Sequence, residues 1–144
     1  AILGGAPEKD AQLLYDFGIK MGLAFQLQDD YLDVYGDPAV FGKKIGGDIL
    51  CNKKTFMLIT ALSLAEGEDK ETLLNWLRAT DYVAEEKIQS VTALYNKVGV
   101  PELCQARIDA YYKEGLELLD KVNVESSLKE ELKKFVCHLM DRKL

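Results

Sequence analysis

Three carboxylates fall within five residues of the segment Phe25-Gln26-Leu27-Gln28-Asp29-Asp30-Tyr31-Leu32-Asp33. In a helix, Asp29 and Asp33 are i,i+4 neighbours and Asp30 and Asp33 are i,i+3 neighbours, so all three crowd onto little more than one turn. Like charges at these spacings destabilise a helix by roughly 0.2–0.5 kcal/mol per pair. The interleaved Phe25, Leu27, Tyr31 and Leu32 mark a largely buried helix, where water compensates poorly. A divalent cation would turn the repulsion into ligation. Mg²⁺ takes oxygen ligands, dehydrates reluctantly, and uses one or two carboxylates together with substrate phosphates. Asp29 and Asp33, one turn apart, suit an ion shared with a diphosphate, and Asp30 stands beside them. Gln26, three residues before Asp29, can steer a carboxylate or contact substrate. The competing reading is a solvated acidic face, against which the apolar residues speak. A calcium loop of EF-hand type is excluded, since the glycine at the turn and the distal glutamate are missing.

A second constellation follows. The loop Gly42-Lys43-Lys44-Ile45-Gly46-Gly47-Asp48 leads to Lys53-Lys54-Thr55, so two lysine pairs bracket Asp48. Lysines offer point charges and hydrogen bonds to phosphate oxygens, and glycines let a backbone approach such a group closely. The pattern is neither a P-loop nor G-x-G-x-x-G, which speaks against a nucleotide. Alone, this loop reads as an exposed basic surface; after an acidic helix it reads as the other half of a diphosphate site.

Helices must position these groups. Asp10 can cap a helix beginning near Ala11, and Leu13, Leu14, Phe17, Met21, Phe25, Tyr31, Leu32 and Tyr35 carry its periodicity to the stop at Gly36-Asp37-Pro38. After a loop over 36–48, helices are expected near Lys53–Glu66 (with Gly67 as stop), Lys70–Ala79, Tyr82–Val98, Pro101–Lys121 and from Ser126 or Ser127 onward. The Tyr82–Val98 helix should turn Val83, Ile88, Val91, Leu94 and Tyr95 inward. No strand pair, repeat or low-complexity linker is evident, so the expected class is an all-α helical bundle.

Composition narrows the function. The 144 residues, 48% of them hydrophobic, suffice for one domain with a core. A net charge of −6 argues against a nucleic-acid partner. Cys51, Cys104 and Cys137 are odd in number and far apart, which fits a reducing, cytoplasmic setting better than a disulfide framework or zinc site. No signal peptide is recognisable, and the longest apolar run, Phe56 to Ala65, is too short to span a bilayer. His138, Trp76 and the Tyr111/Tyr112 pair read as structural or surface residues.

The segment Gly22-Leu23-Ala24-Phe25-Gln26-Leu27-Gln28-Asp29-Asp30-Tyr31-Leu32-Asp33 resembles the second aspartate-rich motif of the trans-isoprenyl diphosphate synthases, or polyprenyl synthetases. Gly36-Asp37, Gly42-Lys43, Gly46-Gly47-Asp48 and Lys53-Lys54-Thr55 resemble the tract that follows it. Farnesyl and geranylgeranyl diphosphate synthases are the nearest subgroup. The resemblance implies the isoprenoid synthase fold and a Mg²⁺-assisted condensation. An allylic diphosphate ionises, and isopentenyl diphosphate attacks the cation. It further implies that Asp29 and Asp33 are metal ligands, with Asp30 a ligand or its supporting partner. Gln26 would line the reacting end of the cavity. Lys44 (or Lys43, by a one-residue choice of spacing) and Lys53 would hold the allylic diphosphate, Asp48 would support metal or lysine, and Arg142 and Lys143 would belong to a basic tail over the isopentenyl diphosphate site. A homodimer is the implied assembly.

The first aspartate-rich motif and the upstream Gly-Lys and Arg elements of that family are absent, and Glu66 to Glu71 lacks the motif's form. Family members are about twice as long. The chain also opens Ala1-Ile2-Leu3-Gly4-Gly5-Ala6-Pro7, like the tail of a helix. The expectation is therefore the C-terminal half of a synthase over residues 1–144, inactive alone. The alternatives are a non-catalytic helical subunit that partners a complete synthase, or a terpene cyclase, against which the Gly/Lys loop and Lys53-Lys54-Thr55 speak.

Overall fold

Helical periodicity runs through the whole chain, and the structure, a computed structural model, follows it. It describes residues 1–37, 39 and 45–140. After a single 3-10 turn at Ile2–Gly4, closed by Gly5 in the left-handed region, come α1 (Glu8–Tyr35), α2 (Gly47–Leu50), α3 (Phe56–Leu64), α4 (Gly67–Arg78), α5 (Ala84–Lys97), α6 (Val100–Asp120) and α7 (Ser126–Met140). No strand occurs among the described residues. The all-α expectation holds. No described helix is long and apolar enough to cross a membrane, and all three cysteines are free thiols.

The chain forms two compact units. One comprises residues 1–28 and 106–143, with α7 and most of α1 and α6. Its core is Phe17, Leu119, Val122 and Val136, against which Leu13, Leu14, Met21, Tyr112 and Leu132 pack. Asp10 is buried here and its carboxylate accepts the Asn123 N–H at 3.3 Å. It lies inside the first turn of α1, not at its cap. The Pro7 carbonyl instead receives the first helical hydrogen bond, from Ala11 N. The Gln28 amide donates to the Met140 carbonyl at 2.8 Å and so ties the end of α7 to α1. One face of α1 is uncovered: Tyr15, Ile19 and Leu23 are exposed, and a Cβ at Gly18 or Gly22 would meet nothing.

The other unit comprises residues 29–105. Within it α5 is the hub on which α2, α3 and α4 pack. Leu32, Ile49, Met57, Leu73, Val91 and Tyr95 are among its buried residues. α1 stops at Gly36, whose N–H still bonds the Leu32 carbonyl; a Cβ there would stand 2.5 Å from that same oxygen, so only glycine fits. Gly67 does not end α3. It opens α4, while α3 ends at Leu64 with Ala65 as its cap. The start of α3 is fixed by buried Thr55, whose hydroxyl accepts the Leu58 N–H at 3.2 Å. Removing such a cap costs about 1 kcal/mol. Thr55→Ala should therefore lower Tm by about 4 °C in circular-dichroism melts, whereas Thr55→Ser, which keeps the acceptor, should stay near wild type.

Candidate diphosphate and metal site

The end of α1 carries Asp29, Asp30 and Asp33 into the second unit, where the 45–55 segment folds back against them. Two contacts hold that segment. Gly46, at φ 87, turns the chain in a left-handed conformation that a side chain would strain, and its N–H meets the Asp33 carbonyl. The Asp33 carboxylate then accepts the Asp48 N–H at 2.8 Å, so it caps the first turn of α2. A carboxylate at a helix N-terminus satisfies amides that the helix itself leaves unpaired.

Lys53 completes the cluster. Its Nζ stands 2.8 Å from Asp30 Oδ1 and 3.0 Å from Asp48 Oδ2, while its own N–H donates to the Asp48 carbonyl. The Asp30 side chain is 7% exposed and that of Lys53 44% exposed, so a buried acid is joined to a cation that still reaches solvent. The hydrogen bonds that Lys53 donates to Asp30, then to Asp48, raise its pKa and hold it charged. Nearby, burial raises the Cys104 thiol to about 12, with the Asp30 charge adding to the shift, which keeps this sulfur a protonated, apolar wall.

Of the residues singled out from the sequence, the structure brings together Asp30, Asp33, Asp48 and Lys53. Asp29 lies half-buried on the same turns. Gln26 is exposed on α1 in the first unit. Lys43, Lys44, Arg142 and Lys143 lie outside the described residues. Sequence reasoning missed Lys87. Val83, expected inward on α5, is 58% exposed, and Lys87 is 1% exposed in its stead. The available signal was spacing: Lys87, Val91, Leu94 and Tyr95 fall on one helical face. A lysine seldom occupies such a position unless its charge is used.

No three His, Cys, Asp or Glu side chains among the described residues are arranged to hold a metal unaided. Mg²⁺ is commonly bound through one or two carboxylates plus phosphate. Burial pushes the Asp33 carboxyl above the usual carboxylate range; the Asp48 N–H opposes the shift, the Asp48 charge adds to it, and Lys53 and the Gly47 N–H oppose it more weakly. A cation beside Asp33 would relieve both burial and repulsion. The donor set thus fits an ion shared with a diphosphate and not a closed protein cage. An acid with a raised folded pKa favours folding fully below its unfolded pKa, and the contribution disappears as pH rises through the folded value. At neutral pH, ionised Asp33 is therefore destabilising. Asp33→Asn should raise Tm at pH 7 by about 2 °C, a fraction of a kcal/mol after solvent screening. In melts taken across pH the difference should close below about pH 4.

Comparison with known proteins places this geometry. The polyprenyl synthetase family model matches residues 1–96. The short chain isoprenyl diphosphate synthase of Methanothermobacter thermautotrophicus is 35% identical over 131 residues, which cover 89% of this chain and 39% of that protein. The geranylgeranyl diphosphate synthase of Sulfolobus acidocaldarius is 28% identical over 143 residues, or 99% of this chain and 43% of that protein. Among solved structures, a geranylgeranyl pyrophosphate synthase superposes on all of this chain with a TM-score of 0.87 at 35% identity and with 45% of its own length. That of Corynebacterium glutamicum, complexed with isoprenyl diphosphate and magnesium, gives 0.83 at 30% identity, covering 96% of this chain and 39% of its own. The chain thus spans about two-fifths of the length of the relatives it matches. Matched by that family's model over two thirds of its length, the chain belongs to the polyprenyl synthetase family.

Proposed function

We propose that this chain forms the diphosphate-binding wall of a chain-elongating prenyl diphosphate synthase, which condenses isopentenyl diphosphate with an allylic diphosphate. The observation that carries the reading is Lys53, shared between buried Asp30 and partly buried Asp48 beside Asp33. A cation held by two carboxylates, yet 44% exposed, is positioned to turn toward a phosphate oxygen. Mg²⁺, held by Asp29 and Asp33 with Asp30 in support, would supply charge to the departing diphosphate. Asp33 and the Asp48 N–H fix where α2 begins, and so where Asp48 and Lys53 stand. Lys53 offsets charge on the leaving oxygen, and a preset cation does so without reorganisation during the reaction. Gln26 faces the reacting end, while Lys44 or Lys43, Arg142 and Lys143 provide further contacts to the two diphosphates.

In the same reading residues 1–144 act as the C-terminal half of the catalytic domain, in a homodimeric cytoplasmic enzyme. The first aspartate-rich motif is supplied by a further segment or by a partner chain. The uncovered Tyr15, Ile19 and Leu23 face of α1, with open space at Gly18 and Gly22, supports this, because complementary helices would cover it. The test is prenyl transfer by the native protein from its own cells, with labelled isopentenyl diphosphate, an allylic diphosphate and Mg²⁺. Asp29→Ala should reduce kcat by about a hundredfold or more while leaving the helical circular-dichroism signal intact. Unchanged turnover in that variant would contradict the ligand assignment. A native mass of 16.1 kDa with no transfer would favour the non-catalytic subunit instead.

A further inference from the structure

Lys87 is 1% exposed near the N-terminal end of α5, the hub of its unit. Its Nζ donates to Asn52 Oδ1 at 2.7 Å, lies 3.5 Å from the Leu50 carbonyl, and sits 4.4 Å from the centre of the Tyr82 ring. These partners are all neutral. A buried ammonium with no carboxylate partner among the described residues is expensive, and a methionine would fill a similar space without that cost. A purely packing role would therefore be better served by an apolar side chain.

What the ammonium holds is the turn between Asp48 and Lys53. Asn52 has φ 54, a left-handed conformation that non-glycine residues rarely adopt. Its side chain is pinned twice, accepting from Lys87 and donating to the Leu77 carbonyl at the end of α4. The Leu50 carbonyl, at the end of α2, also receives the Tyr82 hydroxyl at 3.2 Å. This turn reverses the chain so that Lys53 returns onto Asp48 with both its N–H and its ammonium. Asp48, Asn52, Lys53, Lys87 and Tyr95 line one small cleft.

We propose that Lys87 is a positioning residue: through Asn52 and the Leu50 carbonyl it sets the turn that places Asp48 and aims Lys53 at the diphosphate. The diphosphate part of this inference rests on the function proposed above. Two variants of the 144-residue chain test it, Lys87→Met and Asn52→Gly. Glycine keeps the left-handed turn but removes the anchor, so it decides the matter if Lys87→Met fails to fold. In both, hydrogen exchange of the Asp48 amide, which bonds Asp33, should accelerate about tenfold or more, while Leu73 and Leu94 keep their protection. Titration with inorganic pyrophosphate and Mg²⁺ should show affinity reduced by about ten- to a hundredfold, as for supporting partners of ligands generally. That loss should vanish in a Lys53→Met background. Unchanged Asp48 exchange, faster exchange spread evenly over the core, or an affinity loss that persists without Lys53 would each overturn the proposal. Wild-type chain that binds no pyrophosphate would count against the diphosphate reading alone, and Asp48 exchange would still decide whether Lys87 sets the turn.

Discussion

A lysine ammonium held between carboxylates from two elements organises the second unit. Asp30 arrives on α1, Asp48 on α2, and Lys53 follows the turn after α2. Without that cation, Asp30 would be a buried anion beside three further carboxylates within a few turns of chain, which the interior tolerates poorly. With it, the acidic end of α1 can be packed and still face chemistry. Asp33 takes the complementary part: its carboxylate binds backbone amide at the start of α2 and so sets the segment's register. The two contacts are coupled, because the amide that Asp33 accepts belongs to the residue whose side chain meets Lys53.

Much of the remaining unit serves to hold that arrangement. α5 collects α2, α3 and α4, and the charge on its buried face reaches the turn between Asp48 and Lys53. Thr55 fixes the start of α3 directly after Lys53. In the proposed function a diphosphate would compete with Asp30 and Asp48 for the same lysine. A partly exposed cation already held in place is suited to that exchange, since little side-chain entropy is left to lose.

The helices were legible because buried faces recur at helical spacing and because Gly36 stops α1 where its residue type predicts. The misses have physical causes. Gly67 looks like a terminator, yet at φ 52 it serves as the first residue of α4, since the break had already come at Ala65. Asp10 looks like a cap, but Pro7 starts the helix earlier and Asp10 is spent on the Asn123 amide. Val83 looks like core and Lys87 like surface. Their exchange depends on carbonyl and amide acceptors brought from Leu50 and Asn52, over thirty residues upstream, which no local pattern reveals. The aspartates could be named from spacing, and Lys53 from the family resemblance. That Lys53 pairs with Asp30 and Asp48, and that Asp33 caps α2, required the fold.

In the proposed function the carboxylates at the end of α1, with Asp48 and Lys53, hold a divalent ion together with a diphosphate. The most direct measurement is paramagnetic broadening of assigned backbone resonances when Mn²⁺, a stand-in for Mg²⁺, is added with inorganic pyrophosphate. The expected result is broadening centred on Asp29, Asp30, Asp33 and Asp48, and stronger with pyrophosphate than without. Broadening centred on the other acidic tract, Glu66 to Glu71, or broadening indifferent to pyrophosphate, would contradict it.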